Sequence, residues 1–188
     1  MTGKLSVQPA GIEPEKHDHL VLFQNDRALV FSDPRMFGLV TFDAGEDPPA
    51  WWTDLPPDVL SPDFSKTFLE EKLRNRGRSL IKPLLLDQSI FLGIGNWMAD
   101  EILWRIRVNP SVPVGDLGER GKELWAATRK VARQAMQVIA PDWSRPPDSW
   151  LFNHRWADGG VCPRCKEALL RESLRGRTTC WCPSCQPG

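Results

Sequence analysis

Two Cys-x-x-Cys pairs near the C-terminus constrain this chain of 188 residues more than any other feature in it. Cys162 and Cys165 form the first pair in "CPRC", and Cys182 and Cys185 the second in "CPSC", with sixteen residues between them. A gap of two residues lets both sulfurs of a pair reach one metal ion. A hairpin between the pairs then brings the second two sulfurs round to complete a tetrahedron, the geometry of a zinc site. Proline after the first ligand of each pair suits a tight turn. Disulfides are the rival reading, which a reducing compartment disfavours. Four thiolates leave no open position for water, so one zinc ion here is expected to be structural, rigidifying a hairpin too small to fold alone. Cys180 is the odd fifth cysteine, expected on a strand facing a small core.

The hairpin between the pairs, "KEALLRESLRGRTTCW", carries Arg171, Arg175 and Arg177 around a turn at Gly176. Arginines on a rigid hairpin suit phosphates or a groove. Ribbons of this kind also bind proteins and RNA, so the partner stays open at this point. Charge adds a direction. Residues 1–63 hold 4 basic and 11 acidic side chains, a net of −7, while residues 64–188 hold 20 and 13, a net of +7. Such asymmetry points to a polyanion-binding C-terminal part. The densest basic block, "KLRNRGRSLIK", contains Lys72, Arg74, Arg76, Arg78 and Lys82, and by itself also reads as a solvated helix end. A composition of 41% hydrophobic and 26% charged residues excludes a disordered or fibrous chain. No apolar run approaches a membrane span, and "MTGKLSVQPAG" lacks the apolar core of a secretory signal, so the expected compartment is the cytoplasm, with no membrane partner.

The middle of the chain reads as helical. "SPDFSKTFLEEKLRNR" places Phe64, Phe68, Leu69 and Leu73 at helical spacing, with Pro62 and Asp63 suited to a first turn. "SLIKPLLLDQSIF" reads as a short apolar helix. In "GIGNWMADEILWRIRVNP" the glycines Gly93 and Gly95 break the pattern, Asn96 is expected as an N-cap, and an amphipathic helix runs to Ile106 before Pro110. Such a turn exposes backbone N–H groups at the positive end of a helix dipole, which favours an anion. A lone glycine pair also serves as a plain helix–helix connection. "DLGERGKELWAATRKVARQAMQVIA" is expected to open with Asp116 and Glu119 in a capping-box spacing, to bury Leu124, Thr128, Val131, Ala135 and Val138, and to use Met136 as core filling.

Together, "IKPLLLDQSIFLGIGNWMADEILWRIRVNP", the long helix after it, "CPRC…GRTTCWCPSCQ", and the N-terminal "EKHDHLVLF" and "DPRMFGLVTF" resemble the formamidopyrimidine-DNA glycosylase/endonuclease VIII family. The resemblance implies a base-excision-repair protein that binds oxidised-base or abasic double-stranded DNA as a DNA glycosylase/AP lyase. By position it implies a phosphate contact for Asn96, a backbone contact for His17, a basic position near the phosphates for Lys82, and a wedge of Arg35 and Phe37 filling the gap left by an everted nucleotide. Arg78, in the basic block, is expected on the same DNA-binding face. Arg177 would touch DNA beside the lesion and assist strand cleavage, and Met1 falls where a third wedge residue belongs. The family pattern begins with a Pro-Glu pair whose proline amine attacks the sugar. This chain begins "MTGKL", inside that pattern, so the resemblance implies binding more directly than catalysis. Removal of Met1 would expose the amine of Thr2, the one substitute at that end. The alternatives are a non-catalytic zinc-ribbon DNA-binding protein or a zinc-ribbon protein/RNA interaction module.

The expected fold is α+β. Residues 1–50 form a partial N-terminal β-sandwich with unpaired edges around Leu20–Phe23 and Ala28–Phe31, and residues 51–63 a linker. Residues 64–145 form a helical bundle with a helix–two-turns–helix motif, and residues 146–188 a connector and C-terminal zinc-ribbon hairpin. The connector "APDWSRPPDSWLFNHRWADGG" is short and stiffened by proline, and Trp150 and Trp156 are expected to pack the finger against the helices. A monomer is expected where the sandwich is complete.

Overall fold

The structure, a computed structural model, describes residues 3–141 and 144–188, so the expectations for Met1 and Thr2 fall outside the described residues. Helix and sheet are mixed, and the chain divides into two compact units, residues 1–49 and 50–188.

The first unit is a three-stranded antiparallel sheet of β1 (Lys4–Pro9), β2 (Asp18–Gln24) and β3 (Arg27–Ser32), in the order β1-β3-β2. Asn25 with φ of 47° and Asp26 make the tight connection between β2 and β3. The expected edge at Ala28–Phe31 is corrected. β3 is the central strand, bonded on both sides, and the edges belong to β1 and β2. The alternation of a strand puts Leu5, Val7, Leu20, Leu22, Leu29 and Phe31 on one face by register, because Leu5 and Leu20 both pair with Phe31 and Val7 and Leu22 with Leu29. Leu5, Val7, Leu22 and Leu29 on that face are exposed, whereas Ala28 and Val30 on the other face are buried.

The second unit holds α1 (Ala50–Thr53), α2 (Lys66–Leu73), α3 (Ile81–Leu85), α4 (Asn96–Arg105), α5 (Gly121–Val138), and a hairpin of β4 (Leu170–Leu174) and β5 (Arg177–Trp181). Its main core is Phe64, Leu69, Ile81, Leu84, Leu85, Ile90, Phe91, Ile102, Leu103, Leu124 and Val131 with their neighbours. Val59 also enters this core, and Arg129 donates to the carbonyls of Val59, Leu60 and Ser61, so the stretch ahead of α2 is tied down.

Helix starts differ from the expected ones for local reasons. α2 begins after Ser65, whose Oγ accepts from the Phe68 N–H at 3.0 Å, rather than at Pro62 and Asp63. Asn96 is the first residue of α4, and Gly95 is its cap. α5 is approached through 3-10 turns at Val114–Asp116 and Gly118–Arg120, with no side-chain cap from Asp116. Along α5, Leu124, Thr128, Val131 and Ala132 are buried, Ala135 and Val138 are half-buried, and Met136 is exposed rather than core filling.

Candidate nucleic-acid interface

The four paired cysteines come together. Their sulfurs lie within 4.8 Å of one another, with Cys165 and Cys182 3.4 Å apart and Cys162 and Cys185 4.0 Å apart. A disulfide needs about 2 Å, whereas a tetrahedron with Zn–S bonds of about 2.3 Å needs S···S separations of about 3.8 Å. The cage therefore has the donor chemistry and spacing of a metal site. Each pair sits in a turn closed by backbone: Lys166 N–H donates to the Cys162 carbonyl and Gln186 N–H to the Cys182 carbonyl, both at 2.9 Å. Cys180 lies in the small core with Trp104, Leu151 and Leu169, as expected of a strand residue. Burial, reinforced by Asp100, pushes its thiol up to about 11, and it is not one of the four clustered sulfurs.

Between the strands, Leu174 pairs with Arg177, and Arg175 and Gly176 make a two-residue turn with φ of 50° and 76°. Positive φ at both positions matches the right-handed twist of the strands and sets Arg177 at the tip, exposed.

One face of α4 binds this hairpin. Residues four apart on a helix lie one above the other, and Asn96, Asp100 and Trp104 form such a row. Asn96 Nδ2 donates to the Thr178 carbonyl at 2.8 Å, Asp100 Oδ2 accepts the Cys180 N–H at 3.1 Å, and Trp104 Nε1 donates to Cys162 Sγ at 3.4 Å. Asp100 is the hub. Lys82 Nζ stands 2.6 Å from its Oδ1, and Arg155 donates to its Oδ2 from Nε at 3.0 Å and from the terminal nitrogen at 2.5 Å. Lys82 also donates to the Thr178 carbonyl and to Thr179 Oγ1, each at 2.9 Å. All three charged groups are buried. Their mutual bonds offset a desolvation cost of several kcal/mol per ion.

Lys82 is thus a correction. It was expected at a basic position near the phosphates, but it is 1% exposed and its donors serve the hub and β5. Burial pushes its ammonium down from the ordinary value, with Asp100 opposing. Arg78 is exposed, as a phosphate contact requires. Asp100 and Arg155 were not picked out from the sequence. The signal available was an acid four residues after Asn96, one turn along the same helix face. Two further polar anchors were equally silent: buried Glu101, which holds Arg105 at 2.8 Å and the Phe152 N–H at 3.1 Å, and Gln186, whose side chain bonds the Val108 carbonyl at 2.7 Å.

The turn before α4 is held open by side-chain stitching. Gln88 accepts the Gly93 N–H at 3.0 Å and donates to the Ile94 carbonyl at 3.0 Å, while Gly93 takes a φ of 84°.

In the first unit, Asp33 gathers the other expected residues. Its carboxylate accepts the Gly38 N–H at 2.7 Å and the Arg35 N–H at 3.3 Å, and its own N–H donates to the His17 carbonyl at 2.9 Å. The Gly38 N–H above all holds that carboxyl below the usual range. The loop displays Arg35, Met36 and Phe37, with Phe37 79% exposed and the Arg35 guanidinium 4.8 Å from its ring centroid. His17 is half-buried. A Cβ on Gly38 would meet Phe31 Cζ at 2.5 Å, so a larger residue there would have to displace the Phe31 ring.

Residues 55–142 match the formamidopyrimidine-DNA glycosylase H2TH domain. A formamidopyrimidine-DNA glycosylase from Roseiflexus is 38% identical across 99% of this chain and 71% of its own length. The chain belongs to the formamidopyrimidine-DNA glycosylase family. The relative from Geobacter sulfurreducens is 37% identical, again over 99% of this chain and 72% of its own length. Among solved structures, the Lactococcus lactis Fpg (MutM) in complex with FAPY-dG-containing DNA superposes with a TM-score of 0.82 at 28% identity, covering all of this chain and 72% of that one. The MutM (Fpg) protein of Thermus thermophilus gives 0.74 at 33% identity, covering 99% and 73%. No helix among the described residues is long and apolar enough to cross a membrane.

Proposed function

We propose that this chain binds damaged double-stranded DNA, at an oxidised base or an abasic site, as a base-excision-repair DNA glycosylase/AP lyase family protein of the bacterial cytoplasm. The observation that carries the reading is the shared Thr178 carbonyl. It accepts from Asn96 at 2.8 Å and Lys82 at 2.9 Å, so the residue next to Arg177 is locked to the start of α4. Two separated anion-seeking features, a helix N-terminus and an arginine at a hairpin tip, are thereby held in one fixed geometry. Solved family structures contain FAPY-dG-containing and abasic-site-containing DNA, which supports the same ligand class here.

The roles follow from placement. Asn96 and the first turn of α4 take a backbone phosphate, and Arg78 another. Arg177 sits beside the lesion and assists strand cleavage, the role the resemblance gives it. His17 contacts the backbone, while Arg35 and Phe37, exposed on the loop held by Asp33, fill the space of an everted nucleotide. A single zinc ion fits the Cys162, Cys165, Cys182 and Cys185 cage as a structural ligand that fixes the hairpin and takes no part in chemistry. The sheet of β1–β3 is read as part of a partial N-terminal β-sandwich. The helical part, residues 64–145, is read as the helix–two-turns–helix module, and residues 146–188 as connector and zinc ribbon.

The test is a titration of the full chain with a duplex carrying one abasic site, repeated across salt. Arg177→Ala is expected to weaken binding and to lower the salt slope by about 1, whereas Lys82→Met leaves the slope alone because its ammonium reaches no phosphate. Unchanged binding by Arg177→Ala, or a slope lowered by Lys82→Met, would count against the assignment.

A further inference from the structure

The connector carries an aromatic ladder that the roles above do not use. Trp97, next to Asn96 on α4, meets Phe152 edge-to-face with ring centroids 5.0 Å apart and an interplanar angle of 88°. Phe152 in turn meets Trp156 at 5.1 Å and 79°. The ladder is tied to α4 at two points. The Phe152 N–H donates to Glu101, and Arg155 bonds Asp100 while its guanidinium lies 4.8 Å from the Trp156 ring centroid. Trp156 nevertheless leaves 55% of itself exposed. The expectation that it packs the finger against the helices is corrected. Trp150 is the buried one, and Arg105 lies 4.7 Å from its ring centroid.

An indole fixed by a buried cation on one side and an aromatic edge on another, yet open to solvent, has the properties of a preformed stacking surface. Its orientation costs nothing further on binding, and a planar ring offered to it gains both area and π-stacking. Its anchors are those that hold Asn96 and β5, so the surface belongs to the same rigid body as the phosphate-seeking groups. Nucleic-acid sites pair such cationic groups with aromatic platforms for unstacked bases.

We propose that Trp156, backed by Arg155 and steadied through Phe152 by Trp97, is a stacking surface for a single unpaired nucleobase. The proposal rests on the DNA reading above. When a duplex bound near Asn96 and Arg177 presents a base out of its stack, that base lies flat on the open part of the Trp156 ring. No hydrogen bond to a base edge is implied, so the surface is tolerant of base identity.

The test compares two duplexes of one sequence, one bearing a single bulged adenine and the other an abasic residue at that position. Trp156→Leu keeps apolar volume but removes the ring face, and Trp156→Phe keeps a smaller one. Trp156→Leu is expected to lose about tenfold in affinity for the bulged-base duplex and less than about twofold for the abasic duplex, with Trp156→Phe retaining most of the preference. Equal losses on both duplexes, or none on either, overturn the stacking role while leaving DNA binding intact. Binding of neither duplex by the unaltered chain overturns the DNA reading itself.

Discussion

The two units of this chain use the same kinds of apolar residue to different ends. In the second unit, Leu and Ile side chains from α2, α3, α4 and α5 close on one another, and the charged residues that enter the interior arrive with partners. In the first, only the start of β3 alternates exposed with buried residues, among the described residues only Ala28 and Val30 are buried apolar side chains, and a face of Leu5, Val7 and Leu22 stays exposed. Patterning alone therefore does not make a core. A face must meet another face, and three strands with one uncovered side are a marginal unit.

The largest test of this contrast is removal of a metal ligand. Cys182→Ser is expected to abolish bound zinc and unfold the β4–β5 hairpin, because metal binding supplies on the order of 10 kcal/mol to such a site. Metal analysis and amide exchange check it, and the exchange pattern of β1–β3 should not change.

Next is Asp100→Ala. It leaves Lys82 and Arg155 buried without their anion and should cost about 3–5 kcal/mol in denaturant unfolding. A cost below about 1 kcal/mol would show that water reaches the hub. In the first unit, Gly38→Ala forces a Cβ against Phe31 and should destabilise the sheet by about 1–3 kcal/mol, read as faster exchange in β3. Smallest is Leu22→Thr on the exposed face, expected within about 0.5 kcal/mol of the unaltered chain. A large loss there would break the comparison, since it would mean that the face is covered in solution.

The fold was legible in the sequence wherever a signal is local. The Cys-x-x-Cys spacing announced the four-cysteine cluster, and a turn at Gly176 followed from the sequence around it. The helices containing Phe68, Ile102 and Val131 followed from apolar periodicity. Helix starts were less legible: α2 is capped by Ser65 rather than starting at Pro62 and Asp63, and α4 by Gly95 rather than Asn96, since packing decides which residue turns first. The bond Asn96 makes was not legible, since its partner, the Thr178 carbonyl, lies 82 positions away.

Lys82 shows why a charge run misleads. Five cations in "KLRNRGRSLIK" look alike, but Lys82 sits on α3 beside Ile81 and Leu84, and its orientation inward depends on an acid from another helix. By itself the sequence determined the four-cysteine cluster, the hairpin, the helical stretches and the family, because spacing and periodicity act over a few bonds. Only the tertiary structure decided that Asp100 collects Lys82, Arg155 and the Cys180 N–H, that Trp156 stays open while Trp150 is buried, and that β3 runs between β1 and β2. Each of those outcomes depends on which distant groups share a low-dielectric interior, where an unpaired charge or donor costs more than any local preference can supply.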